Sequence, residues 1–133
     1  MTTILFDTDT LIALLRGREE LAEKVRACPP GAIGISTVSY YELMVGIEKS
    51  GSTAKKRKSL EDALAPFAIY PFDPQAATEA ATLRAHLEKE RRGIGPYDTL
   101  IAGHALALKA KLITANTREF SRIPQLKLEN WLE

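Results

Sequence analysis

The sequence predicts an α/β protein: a three-layer α/β/α sandwich around a central, mostly parallel sheet of four to five strands, forming one domain over residues 1–133. Two observations lead there. Short apolar runs alternate with longer stretches of helical periodicity, and that alternation implies parallel crossovers with helices on both faces of the sheet. The 133 residues suit one core, and a composition of 45% hydrophobic and 26% charged residues is ordinary for a globular chain.

The elements follow in order. Residues 3–6 read as a short buried strand. Leu11, Ile12, Leu14 and Leu15 make an apolar helical turn that Gly17 stops. A second helix is expected over 18–27, with Leu21 and Val25 inward, before Cys28-Pro29-Pro30-Gly31 ends it. Residues 32–36 form a second strand, 38–49 a helix, 50–52 a loop, and 53–64 a helix with a basic face. Pro66 precedes a third strand at 68–70. Asp73-Pro74 is a strong helix start, Asp as N-cap and Pro in the first turn, and that helix runs to about Arg91. Gly93 to Pro96 breaks the pattern. The helix expected over 97–110 is mostly apolar and therefore central. Strands at 112–114 and 126–128 complete the sheet.

Bulk properties narrow the function. The formal net charge of +1 neither demands nor excludes a nucleic-acid partner. One cysteine, Cys28, rules out an internal disulfide framework and a cysteine-based zinc site. No basic segment followed by an apolar stretch opens the chain, and no run is long enough to span a bilayer, so the expected location is the cytoplasm, with no membrane partner.

Four acids occupy suggestive positions: Asp7 after the first strand, Glu42 near the start of a helix, Asp98 after the Gly-Pro turn, and Glu119 beyond the fourth strand. In an open parallel sheet, ligands bind outside the carboxyl ends of the strands, where crossover helices begin. Thr114 and Asn116 follow the fourth strand at the same edge. Carboxylates gathered there repel one another by about 4 kcal/mol per pair at a surface-like dielectric. A divalent cation relieves that, and hard oxygen donors suit Mg²⁺ or Mn²⁺. Structural readings compete. Ser39-x-x-Glu42 fits a capping box, Asp98 a first-turn partner of the helix dipole, Glu119 a solvated surface acid, and Asp9 a cap for a helix from Thr10. Asp7 is hardest to read as structural, because an acid directly after a buried strand is costly unless paired.

The segments Leu5-Phe6-Asp7-Thr8-Asp9-Thr10, Ser36-Thr37-Val38-Ser39-Tyr40-Tyr41-Glu42-Leu43, Gly93-Ile94-Gly95-Pro96-Tyr97-Asp98 and Thr114-Ala115-Asn116-Thr117-Arg118-Glu119-Phe120 together resemble the PIN-domain family, within it the VapC-type toxins of toxin–antitoxin pairs. They cover nearly the whole chain in the family's order. The resemblance implies a Mg²⁺-dependent endoribonuclease, with Mn²⁺ able to substitute, that meets RNA, a VapB-type antitoxin and a second copy of itself. It implies Asp7, Glu42 and Asp98 as core acids: Asp7 and Asp98 on the metal directly, Glu42 directly or through water. Two departures stand out. Asp9 sits where Asn is common, and Asn116 where a fourth acid often lies, so Glu119 is the candidate replacement, with Asp9, Thr114 and Asn116 as polar support.

Cations that can meet RNA are Lys55, Lys56, Arg57, Lys58, Arg84, Lys89, Arg91 and Arg92, the last two expected near the mouth of the site. Charge runs on helices also read as plain solvated faces. Tyr97 can stack a base or pack in the core. His104, in an apolar helix, reads as a satisfied core residue. Two alternatives remain. Asp7-Thr8-Asp9-Thr10 resembles the signature of haloacid-dehalogenase-like phosphatases, with Asp7 as covalent nucleophile, though no Asp follows Asp98 to supply that fold's late acids. The other is a PIN-like module that grips RNA or protein without cutting.

Overall fold

The computed structural model describes residues 4–132. Thr3, expected to open the first strand, lies outside the described residues. In chain order the elements are β1 (Ile4–Phe6), α1 (Thr8–Leu15), α2 (Glu19–Arg26), β2 (Ile33–Ser36), α3 (Thr37–Ser50) and α4 (Thr53–Leu64). They continue with β3 (Ala68–Tyr70), α5 (Pro74–Lys89), α6 (Pro96–Leu108), β4 (Lys111–Ile113), α7 (Thr117–Phe120) and β5 (Leu128–Glu129).

The five strands form one sheet in the order β3-β2-β1-β4-β5. Every pairing is parallel, with Phe6 opposite Ile35 on one side and Ile113 on the other. The chain moves outward from β1 to β2 and β3, then returns to place β4 against β1's other edge. That reversal is a topological switch point, and it opens a crevice at the carboxyl ends of β1 and β4.

Successive strand side chains point to opposite faces, and the two cores follow that alternation. Leu5 and Leu112 pack with Leu83, Leu87, Ile101 and Phe120 on the α5–α6 side. Phe6, Ile35 and Ile113 pack with Leu11, Leu43, Leu60 and Leu64 on the α1, α3 and α4 side. The expected three layers are therefore present, and all described buried side-chain N and O atoms have hydrogen-bond partners.

The structure corrects several expected boundaries. The last strand is β5 at Leu128–Glu129, displaced from 126–128; Leu126 turns into the α5–α6 core instead. α7 was not expected. α5 ends at Lys89 and α6 at Leu108, followed by Arg91 and Lys109 in left-handed backbone with φ 56° each. Neither is glycine, so composition carried no stop signal there. Gly51 does carry one: it closes α3 with φ +81°. His104 is the expected core residue. It is buried edge-on against Phe72, and Ser36 Oγ lies 2.8 Å from its Nδ1. Ser36 Oγ also accepts from Val38 N at 3.0 Å, so its hydroxyl proton is free to donate to a neutral imidazole. Burial holds the His104 pKa below its ordinary value, against a weaker upward pull from Asp73.

Candidate active site

Asp7 ends β1 and is the N-cap of α1. It is 5% exposed, and both its oxygens are held: Oδ1 accepts from Thr8 N at 2.8 Å and Oδ2 from Thr114 Oγ1 at 2.8 Å. The capping role considered for Asp9 is thus taken by Asp7. Asp9 instead reaches across the crevice, where its Oδ2 accepts from Ala115 N at 3.0 Å and lies 3.3 Å from Thr114 Oγ1. Thr114 has one hydroxyl proton, and the shorter contact assigns it to Asp7. Its oxygen also accepts from Asn116 N at 3.0 Å.

Glu42 is not at a helix start. The N-cap of α3 is Ser36, which leaves Glu42 in the second turn and removes the capping-box reading. Its Oε1 accepts from Thr8 Oγ1 at 2.7 Å, and Thr8 Oγ1 lies 3.0 Å from Ser39 Oγ. One proton cannot serve both, so Thr8 donates to the carboxylate and accepts from Ser39. The sequence offers Ser39 only as a helix cap and gives no signal for Thr8; the structure makes both part of the hydrogen-bond network that holds Glu42.

Asp98 lies in the first turn of α6 beside Gly95, the N-cap. A Cβ on Gly95 would come within 3.3 Å of Asp98 Oδ2, a physical reason for glycine at this position. Asn116 Nδ2 donates to Glu119 Oε2 at 2.9 Å and sits 3.4 Å from Asp98 Oδ2. Through Asn116 the two carboxyl groups are neighbours, and each shifts the other: Glu119 raises Asp98, and Asp98 lowers Glu119.

The electrostatics agree with the geometry. Burial, then the charge of Asp9, pushes Asp7 up to about 7, with Asp98 adding to the rise against the pull of the Thr114 and Thr8 hydrogen bonds. Burial, then the hydrogen bond and charge of Glu119, pushes Asp98 up to about 6, with Glu42 and Asp9 contributing. Glu119 is held below its ordinary value, first by Asn116 and in smaller part by Arg122 and Arg118. The five carboxylates therefore feel one another from four segments. Among the described residues none of them is in an ion pair. Nor do three His, Cys, Asp or Glu side chains form a ready metal cage among those residues.

Arg91 and Arg92 are exposed on the turn after α5; Arg92 N caps Leu87 O. The charges of Arg122 and Arg118 act on Glu119, and Arg122 Nη1 also donates to Gly93 O at 3.0 Å. Arg57 pairs with Glu48 and Lys58 with Asp62, as a solvated basic face does. Tyr97 is exposed, not core.

The site is a crevice of carboxylates oriented by hydroxyls and one amide, at the switch point of a parallel sheet, the place where open α/β folds bind their ligands. A family model described as the PIN domain matches residues 4–126. The tRNA(fMet)-specific endonuclease VapC of Salmonella typhimurium is 31% identical over 131 residues, spanning 98% of this chain and 99% of that protein. Ribonuclease VapC2 of Rickettsia felis is 39% identical over 99 residues, 74% of each chain. The DNA-bound VapBC structure from Salmonella typhimurium superimposes with a TM-score of 0.92 at 32% identity, over 98% of this chain and 99% of that one. VapBC-1 from nontypeable Haemophilus influenzae gives a TM-score of 0.90 at 31% identity, over 99% and 100%. The chain belongs to the PIN-domain family, among the VapC ribonucleases.

Proposed function

We propose that this chain is a Mg²⁺-dependent endoribonuclease acting in the cytoplasm as the toxin of a VapBC-type toxin–antitoxin pair, with Asp7, Glu42, Asp98 and Glu119 as its catalytic acids. The observation that carries the reading is the convergence of these acids at the β1–β4 crevice, in a chain whose full-length relatives are VapC ribonucleases. The phosphatase alternative loses its ground with the family match. The non-cleaving alternative is disfavoured because each core acid is present and oriented.

The donors suit the metal. All are hard oxygens, and two are lifted toward neutrality by burial and like charge, a strain a cation relieves. Asp7 and Asp98 would hold Mg²⁺ or Mn²⁺, with Glu42 direct or through water. Mg²⁺ keeps several waters, so a closed protein cage is not required. When bound, the cation supplies an acidified water and stabilises charge on the phosphate. The protein orients the groups around it. Thr114 fixes Asp7, Thr8 fixes Glu42, and Asn116 aims Glu119. Glu119, held as a carboxylate by Asn116, stands beside Asp98 and adds a further hard oxygen at the edge of the metal position.

A groove of about 630 Å³ between α1, α3 and α4 supports the antitoxin reading. Ile12, Leu15, Leu43, Ile47 and Leu60 line it, and Glu42 stands at its edge. An apolar antitoxin segment lying there could place a basic side chain on the acids. A homodimer is part of the same proposal. No helix among the described residues is long and apolar enough to cross a membrane.

Asp98→Asn is expected to lower RNA cleavage roughly 100-fold or more and to blunt the rise in melting temperature that Mn²⁺ gives the parent chain. Full cleavage by the variant would overturn the assignment, as would hydrolysis of a small aryl phosphate in place of RNA. Thr8→Val tests orientation. Glu42 keeps its charge but loses its anchor, so cleavage should fall roughly tenfold while stability changes by about 1 kcal/mol. Unchanged turnover would show that the Thr8–Glu42 bond has no catalytic consequence.

A further inference from the structure

We propose that Tyr41 and Tyr97 form a platform on which one unstacked base of the RNA substrate stacks beside the acidic centre. The inference rests on the ribonuclease reading and names the residues that seat the substrate.

The two rings come from different helices, 56 residues apart in sequence. Tyr41 on α3 directly precedes Glu42; Tyr97 on α6 directly precedes Asp98. Neighbouring side chains on a helix diverge by about 100°, so each ring flanks its acid at the rim of the crevice. The rings meet there. Their centroids are 5.8 Å apart at 48°, and their hydroxyls are 3.5 Å apart.

Both rings remain largely in water, Tyr41 51% exposed and Tyr97 45%. Leu15 and Ile69 are the other large apolar side chains this exposed among the described residues, and neither has a ring to stack. Single exposed apolar residues need no explanation. Two that pair across elements beside a candidate site do.

The charge distribution gives the pair its role. Five carboxylates at the centre oppose an approaching polyanion, and the cations near them, Arg118 and Arg122, lie on the Glu119 side. On the other side, Arg16 and Lys56 line the groove that holds Glu42, and Lys49 and Arg57 line the pocket beside Tyr41; a contact that does not depend on charge adds to theirs next to the carboxylates. Base–aromatic stacking is such a contact, worth roughly tenfold in affinity per base. The tilt between the rings leaves an outer face open to a base while the second ring backs the first. The hydroxyls can then meet a base edge or a 2′-hydroxyl.

The rival occupant is protein. Met44 and Val45 continue an apolar strip from Tyr41 along α3, which a second copy could cover. One experiment separates the two. The Asp7→Asn chain, which leaves RNA uncut, is titrated with a short single-stranded oligoribonucleotide carrying a fluorescent adenine analogue. Tyr41→Ala, Tyr97→Ala, the double variant and the corresponding Phe variants follow, each with sedimentation velocity. The expected result is analogue quenching on binding, a roughly tenfold rise in Kd and loss of the quench with either Ala, and retention of both with Phe. Unchanged Kd and quench in the double Ala variant would overturn the inference. So would a change of oligomeric state with RNA affinity unaltered, which would make the pair a subunit contact. If the Asp7→Asn chain melts cooperatively yet binds no RNA, the ribonuclease reading fails and takes this inference with it.

Discussion

Asp7→Asn is expected to abolish RNA cleavage while raising the melting temperature of the metal-free protein. The two effects share one cause. Burial and the neighbouring Asp9 move the Asp7 carboxyl from 3.8 to about 7, and such a displacement corresponds to roughly 4 kcal/mol of opposition to the charged form. Asn keeps the shape and the acceptor for Thr8 N, and its amide can donate to Thr114 Oγ1. It removes the charge. A gain of roughly 2–4 kcal/mol at neutral pH without metal follows. The same substitution deletes a donor for the cation, so the stabilisation that Mn²⁺ gives the parent chain shrinks. A metal-free Asp7→Asn chain that melts below the parent would show that the Asp7 carboxylate is not strained, and the argument for a cation site would lose its main physical support.

The sign of the pH dependence follows from the same shift. A carboxyl whose pKa is higher folded than unfolded binds more protons in the folded state, so its contribution to stability is complete below its unfolded value. It is lost as pH rises through the folded value. For Asp7 that window runs from 3.8 to about 7, and for Asp98 from 3.8 to about 6. The metal-free parent should therefore lose stability across that range, the reverse of a protein whose acids are salt-bridged, and Asp7→Asn should flatten much of the slope.

What could be read from sequence divides along physical lines. β1, β2 and β3 were legible because each is an apolar run, and α4 because its bounds carry ordinary start and stop residues. β5 was displaced because a two-residue edge strand has no periodicity to read, and Leu126 just before it is apolar for a different reason, burial under α5 and α6. α7 is four residues long, too short for a helical pattern. That omission hid the cations beside Glu119, because Arg118 and Arg122 approach it through this turn. Ser39-x-x-Glu42 imitated a helix start; the true cap, Ser36, lay at the end of a strand. The network around the acids was partly hidden too. Thr8 and Ser39 act through hydroxyl hydrogen bonds that span 34 and 31 residues, and no local spacing encodes those.

Gly103→Ala should be the most damaging conservative substitution in the hydrophobic layer. A Cβ at Gly103 would stand 2.5 Å from the Cα of Ala80 and 2.6 Å from its N and Cβ. The obstruction is mainly backbone, so no rotamer change removes it, and α5 and α6 must separate along the most extensive helix contact in the fold. Overpacking of this kind costs about 1–3 kcal/mol and sometimes more; here the upper end is expected, read as a lowered denaturation midpoint with little change in slope. Because α6 carries Asp98 in its first turn and His104 in its body, a displaced α6 also moves one catalytic candidate relative to Asp7 and loosens the bond to Ser36. Cleavage at a temperature where the variant is still folded should therefore fall as well. Ala80→Gly removes just one of the three close atoms, so the double variant should recover stability in part. Full recovery would mean that the helices touch through Ala80's side chain alone, and parent-like stability of Gly103→Ala would mean that α5 and α6 are not held at this distance.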